Sequence, residues 1–259
     1  MMDHFAMPGI RFLFTVACLL MSPLVYADEA GNQAEVFFGH KEYDEALSIW
    51  YGMIESGKSS AGLFYNIGLA ESQLRNTPKA MLGFEKALRL KPMNKAIKSA
   101  IMEERKRILF AAIPVEPFFL NEWYKALVTL LRPGYWSFLG LGLIAIVVLS
   151  LQRAAKKIEA EEDQSLRYKI PLVLLGACFV LTGGLSYKEI YRANEAIINE
   201  TCEVRQAPAS DSPVIRTLYP GEKITIRDSL GEWYHVQLLN LDAGWTKRGY
   251  LMPIVLDHR

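Results

Sequence analysis

Residues 135–151, YWSFLGLGLIAIVVLSL, and residues 170–187, IPLVLLGACFVLTGGLSY, contain no charged side chain. At a rise of about 1.5 Å per residue, helices of this length cover most of a hydrocarbon layer roughly 30 Å thick. The pattern therefore predicts two transmembrane helices, Tyr135 to Leu151 and Ile170 to Tyr187. The stretch between them carries Arg153, Lys156, Lys157, Arg167 and Lys169. The outward flanks hold only Lys125 and Arg132 before the first helix and Lys188 and Arg192 after the second. Positive charge near the spans sets orientation, so the short loop is expected in the cytoplasm and both longer flanking segments outside it.

The beginning of the chain agrees with that orientation. Arg11 precedes an apolar stretch, Phe12 to Leu24, that ends in Val25-Tyr26-Ala27. This predicts a signal peptide over 1–27, cut before Asp28. Left uncut, the same stretch is an anchor with its start in the cytoplasm, and the downstream sides do not change. Cys18 follows Thr15-Val16-Ala17, but few apolar residues precede it and Thr15 fits a lipidation site poorly.

The 259 residues, less a leader and two spans, leave room for two small domains and not for one extensive enzyme core. A net charge of +1 without a basic tract gives no electrostatic reason to expect nucleic acid. Cys178 lies inside the second span and Cys202 beyond it, so they are poor disulfide partners; Cys202 reads as a small buried residue, with pairing between molecules as the alternative. His4, His40, His235 and His258 are scattered without metal-ligand spacing, and no metal or other cofactor is expected. There is no phosphate-cradling glycine loop, no His-Glu-x-x-His helix and no cysteine–histidine peptidase segment. The chain is therefore expected not to be an enzyme.

Residues 61–92 show helical periodicity. Phe64, Ile67, Phe84 and Leu88 recur at helical spacing and fill the gap between two helices, while Gly68, Ala80 and Ala87 sit where those helices approach closely, and Pro92 ends the second helix. This helical hairpin resembles the tetratricopeptide repeat, matching it at Phe64, Ile67-Gly68, Ala80, Phe84, Ala87 and Pro92. A shift back by 34 residues sets Ala34 over Gly68, Ala46 over Ala80, Trp50 over Phe84 and Met53 over Ala87. A first, weaker repeat is expected there, with an irregular exit at Gly57 to Ser60. Asn94 to Leu109 carries Ile97, Ala100, Ile101, Glu104 and Ile108 in the manner of a capping helix. The resemblance implies a concave surface for a peptide or partner protein, lined by Phe38, Tyr65, Leu69, Ser72 and Gln73; packing against the neighbouring helix is the competing role for each.

After this region, Lys95, Lys98, Arg105, Lys106 and Arg107 form a basic stretch that reads as a solvated helix face before a lipid contact. Pro114 to Pro117 breaks the helix. Phe118 to Leu131 is amphipathic, with Trp123, Tyr124 and Trp136 suited to a lipid interface, which predicts a helix lying on the membrane. Gly140 and Gly142 in the first span, and Gly176, Gly183 and Gly184 in the second, fit close helix packing.

From Cys202 onward the apolar period changes to two, as in Glu222 to Arg227 and Trp233 to Leu238, with turns at Pro220-Gly221 and Leu230-Gly231. Val204, Pro208, Leu218, Gly221, Ile224, Gly231, Trp233-Tyr234, Val236, Gly244-Trp245 and Tyr250 make residues 202–252 resemble a bacterial SH3-type domain. Glu203 and Gln206-Ala207 depart from that pattern in the first turn. The resemblance implies binding of protein segments or cell-wall peptides through Tyr219, Trp233, Tyr234, Trp245 and Tyr250. Trp233 and Trp245 suit the core of so small a barrel even better, and Val214, Leu218, Ile224 and Val236 are expected as core.

The fold class expected is a multidomain membrane protein with all-α tetratricopeptide hairpins, two transmembrane helices and a small all-β SH3-like barrel. Its parts are a signal peptide at 1–27, repeats with a capping helix at 28–109, a linker and interfacial helix at 110–134, and spans at 135–151 and 170–187 around a cytoplasmic loop at 152–169. A linker at 188–201 and the SH3-type domain at 202–259 complete it. This order of modules resembles the BatE-type proteins of the Bat aerotolerance group. The resemblance implies a periplasmic scaffold in the bacterial inner membrane, with other Bat membrane proteins carrying von Willebrand A-type domains as partners, together with an AAA-type ATPase. The alternative is a membrane protein that binds or senses peptidoglycan; a subunit active only within an assembled enzyme is a third reading.

Overall fold

A computed structural model of the chain describes residues 29–108, 119–131, 133–155, 166–191 and 194–256. The expected leader, Pro114 to Pro117 and the middle of the loop expected in the cytoplasm lie outside the described residues.

Five helices form the first part: α1 (Glu29–Gly39), α2 (Tyr43–Glu55), α3 (Ala61–Gln73), α4 (Thr77–Leu90) and α5 (Lys95–Arg105). Their starts are written locally. The Ser60 hydroxyl accepts from the Leu63 amide at 3.1 Å at the head of α3, and the Asn94 carboxamide oxygen accepts from the amides of Ala96 and Ile97 at the head of α5. Each satisfies donors that the first helical turn leaves without partners. α1 pairs with α2, and α3 with α4. Ala34, Ala46 and Trp50 are buried, as are Gly68, Ala80 and Phe84 at a spacing of 34 residues. α3 and α4 touch backbone to backbone: a Cβ on Gly83 would lie 2.9 Å from the backbone of Gly68.

Buried carboxylates tie successive helices together. The Tyr51 hydroxyl donates to Glu71 at 2.7 Å, joining α2 to α3. Glu104 of α5 accepts from Ser72 at 2.6 Å and Thr77 at 2.7 Å, and pairs with Arg107 at 3.1 Å. Buried polar groups must be satisfied in this way.

α6 (Phe119–Val128) turns Leu120, Trp123, Tyr124 and Leu127 outward, Trp123 being 72% exposed, while Val128 is buried. The indole N–H of Trp136 donates to the Val128 carbonyl at 3.2 Å and fixes α6 against the start of α7 (Pro133–Ala155). α7 and α8 (Leu166–Ile190) form an antiparallel hairpin longer than the apolar runs; Pro133–Ser150 and Ile170–Ile190 are long and apolar enough to cross a membrane. Their seam is glycine-lined. A Cβ on Gly140 would come within 2.5 Å of the Gly176 carbonyl, and one on Gly183 within 2.6 Å of the Ser137 hydroxyl. Gly142 and Gly184, expected to share that role, have nothing within 4 Å and face outward.

The chain ends in seven antiparallel strands: β1 (Glu195–Ile198), β2 (Cys202–Arg205), β3 (Val214–Leu218), β4 (Lys223–Leu230), β5 (Trp233–Leu238), β6 (Ala243–Lys247) and β7 (Leu251–Pro253), in the order β3-β2-β6-β5-β4-β1-β7. β1 corrects the expectation of a plain linker over 188–201, because Ala196 pairs with both Ile224 and Pro253 and is fully buried. Leu218, Ile224 and Val236 fill the interior together with Val204 and Leu238. Val214 does not: it starts β3, which pairs only with β2 at the rim of the sheet, and is 45% exposed.

The helical part and the sheet share one core. Met81, Phe84 and Ile101 pack in a single cluster with Ile190 at the end of α8, Ile197 of β1, and Ile254 and Leu256 after β7. The Pro220-Gly221 turn reaches the helices, Gly221 taking φ +93°, where a Cβ would be strained and would lie 2.7 Å from Thr77. Arg89 of α4 donates to the Ile254 carbonyl and pairs with Glu195 at 3.1 Å, while Lys223 meets Glu85 at 2.8 Å and Glu195 at 3.1 Å.

Candidate functional site

The register of the central strands assembles an open surface on the sheet. Gly231, at φ +58°, turns β4 into β5 so that Leu230 faces Trp233, and Trp233 in turn faces Lys247 at the end of β6. A single 3₁₀ turn, Arg248–Tyr250, then carries the chain into β7. The Arg248 amide donates to the Glu232 carbonyl at 2.8 Å and holds this turn over the β4–β5 hairpin.

Two neighbouring grooves result. The larger, about 880 Å³, is lined by Tyr234, Tyr250, Arg248, Glu200 and Glu232. The smaller, about 390 Å³, is lined by Trp233, Glu203, Arg205, Thr217 and Ser210. Lys247 and Tyr250 border both. The Lys247 ammonium sits 5.6 Å from the centre of the Trp233 ring and the Arg248 guanidinium 5.7 Å from that of Tyr234. Cations over aromatic faces keep those rings presented while holding their own charge at the rim. Arg205 is spoken for by Glu203 and by the Ser212 carbonyl. With carboxylates and cations on both banks, the surface suits a segment carrying charges of both signs along an apolar stripe.

Cys202 borders the smaller groove but is buried. Burial holds its thiol above the ordinary value, Glu222 and Glu203 push the same way, and the neighbouring Thr246 hydroxyl offsets them only in part. The thiol therefore stays protonated and is a poor nucleophile. Among the described residues no group of three or more His, Cys, Asp or Glu side chains is placed to hold a metal.

Of the five barrel aromatics expected to bind, Trp233, Tyr234 and Tyr250 meet at these grooves. Tyr219 instead packs against the core shared with the helices. Trp245 is half-buried and lies against His235, ring centres 5.0 Å apart. Trp233, which had suited the core, is only half-buried.

The repeat residues are placed differently. Phe38 packs between Tyr43 and Trp50, Tyr65 lies 5.8 Å from Phe84, and Leu69 packs on the shared core. Ser72 is engaged by Glu104 and Arg107. Gln73 alone of that set is exposed. The basic partners of the barrel aromatics, Lys247 and Arg248, escaped notice in the sequence. The signal available was the succession Lys247-Arg248-Gly249-Tyr250 at the end of a strand.

No curated protein matches the chain. The family comparison covers most of the part that builds both grooves: residues 201–252 match the model of the bacterial SH3 domain, and this segment is a bacterial SH3 domain.

Proposed function

We propose that the chain is a non-enzymatic, membrane-anchored adaptor whose SH3 grooves bind a segment of a partner protein outside the cytoplasm. The observation that carries this reading is the pair of grooves meeting at Lys247 and Tyr250, open and lined by aromatics under cations, beside a helical part whose expected groove residues are mostly taken up by packing. The helices are tetratricopeptide-like hairpins in this reading, and their role is largely to support the barrel, with Gln73 and its surroundings left for docking.

Both apolar helices cross the inner membrane in this proposal. Contact between residues 29–108 and 194–256 supports a hairpin that crosses twice, because Glu85 and Lys223 can meet only on one side. The loop charges favour the periplasmic side for that body. By the order of its modules the chain acts in a Bat-type complex, with membrane proteins carrying von Willebrand A-type domains and an AAA-type ATPase as partners.

The second reading is peptidoglycan binding, favoured by the mixed charges of the grooves, which match the amines and carboxylates of wall peptides. Crosslinking of the tagged full chain in its membrane, followed by mass spectrometry, separates the two. Membrane proteins lost on Trp233→Ala and Tyr250→Ala support the adaptor. Wall fragments lost on the same substitutions, without proteins, support wall binding, and a partner set indifferent to both substitutions sinks the groove as the binding surface.

A further inference from the structure

Three cations of the sheet are matched by carboxylates: Arg205 by Glu203, Arg216 by Glu222, and Lys223 by Glu85 and Glu195. Around the larger groove the charges are left open. Among the described residues, Lys247 and Arg248 have no carboxylate at ion-pair distance, and Glu200 and Glu232 no cation, although all four are exposed on that groove. The two cations lie instead over rings, 5.6 Å from the centre of Trp233 and 5.7 Å from that of Tyr234. Their aliphatic stems are steadied there while the charged heads remain in solvent with donors to offer.

Backbone hydrogen bonds set the order of these charges. The Arg248 amide donates to the Glu232 carbonyl, and the Asn199 amide to the Tyr250 carbonyl, each at 2.8 Å. The first bond ties Glu232 to the start of the Arg248–Tyr250 turn; the second ties Asn199, and Glu200 after it, to the end of that turn. Lys247, Arg248 and Glu232 therefore stand at one end, and Glu200 at the other, with Tyr250 between them along the turn. Tyr234, Leu251 and Pro253 supply apolar wall. The groove is polarised, positive towards Lys247 and negative towards Glu200.

We propose that the larger groove selects an extended, dipolar segment of a partner protein: an acidic side chain against Lys247 and Arg248, an apolar one on Tyr234 and Tyr250, and a basic one against Glu200. Each end of such a segment gains a charge-assisted hydrogen bond. A segment acidic at both places meets like charge at Glu200, and one basic at both meets it at the two cations, which turns both away. The proposal rests on the groove as the binding surface and adds which segments it accepts.

The test uses the full chain in nanodiscs and fluorescein-labelled peptides blocked at both ends, with binding read by fluorescence anisotropy. One peptide is Gly-Glu-Val-Leu-Val-Lys-Gly, which puts its acidic, apolar and basic side chains on one face of an extended chain; the other carries Gln in place of both Glu and Lys. The dipolar peptide is expected to bind about tenfold more tightly, the worth of one charge-assisted hydrogen bond. Lys247→Gln combined with Arg248→Gln, or Glu200→Gln alone, should remove most of that preference. Glu200→Lys should move it to a peptide with Glu at both charged positions. Arg227→Gln, at an exposed cation bonded to Gln237 and lining neither groove, is the control expected to match the wild type. Equal affinity for the two peptides, still lost on Tyr250→Ala at unchanged Tm, overturns the dipolar assignment and leaves the groove standing. Peptide binding indifferent to Tyr250→Ala overturns the groove itself. Binding of neither peptide at millimolar concentration overturns the dipolar assignment, and capture of purified wall fragments in their place, lost on the same substitutions, would give the site to the cell wall.

Discussion

The Lys223 ammonium on β4 donates to the Glu85 carboxylate on α4 at 2.8 Å, although 138 residues and the whole apolar hairpin separate them in the chain. Glu195 receives the same ammonium at 3.1 Å. Removing one member of a buried pair leaves the other uncompensated. Lys223→Met is therefore expected to destabilise the body formed by the helices and the sheet by about 3 kcal/mol, and Lys223→Arg by much less. Denaturant unfolding of the full chain in detergent, followed by tryptophan fluorescence, measures both; equal stability of the methionine variant would contradict the ion pair.

The same body should weaken in alkali. Burial alone would lower the pKa of Lys223, but Glu85 and Glu195 outweigh it and the net direction is upward from 10.5. Burial, then the hydrogen bond to Glu71, raises Tyr51 above its ordinary 10.0. A pKa raised in the folded state means that the fold holds the proton more tightly. The stabilisation is complete below pH 10 and is lost as pH rises through the raised values. A Tm constant up to about pH 9.5 and falling above pH 10 is expected, with a shallower fall for Tyr51→Phe; a fall already complete at pH 9 contradicts it.

Gly83 and Gly62 separate packing from propensity. A methyl group on Gly83 meets the backbone of Gly68 and the Phe64 carbonyl at 2.9 Å, so Gly83→Ala should push α3 from α4 and cost about 1–3 kcal/mol. The corresponding atom on Gly62 meets only the Ser60 hydroxyl, at 4.0 Å, so Gly62→Ala should be neutral or stabilising by up to about 1 kcal/mol. Thermal melts of the two variants side by side check the contrast.

In the apolar hairpin, Gly140→Leu should part α7 from α8, whereas Gly142→Leu, directed into open space, should not. A cysteine pair introduced at Ser137 and Gly183, which face each other across the seam, reports the separation through its crosslinking yield. A yield unchanged by Gly140→Leu would place the seam elsewhere.

Local periodicity made the helices of the hairpins legible: Ala34, Ala46 and Trp50 repeat the burial of Gly68, Ala80 and Phe84. Alternation likewise exposed the core at Ile224 and Val236. Partnerships between distant segments were not legible. Nothing near Arg89 or Lys223 signals that Glu195 lies between them, and Glu195 to Ile198 is too short to declare itself a strand. Gly83 went unnoticed because its need for a small side chain comes from Gly68 on the facing helix. The aromatic residues of the grooves were readable. Their basic neighbours required knowing that Trp233 stands opposite Lys247.

The joint core has a bearing on biogenesis. The apolar side of α4, with Met81 and Phe84, is synthesised before the hairpin, whereas Ile197, Ile254 and Leu256, which cover it, come after. If both apolar helices cross the bilayer, the first half waits uncovered until the second is delivered to the same side. A chain that threads wrongly never closes. Pulse-labelled chains truncated after residue 191 should accordingly remain protease-sensitive while full chains become resistant. Maturation of the fold then serves as a proofreading step for insertion, because only a chain with both crossings made can bury what α4 holds open.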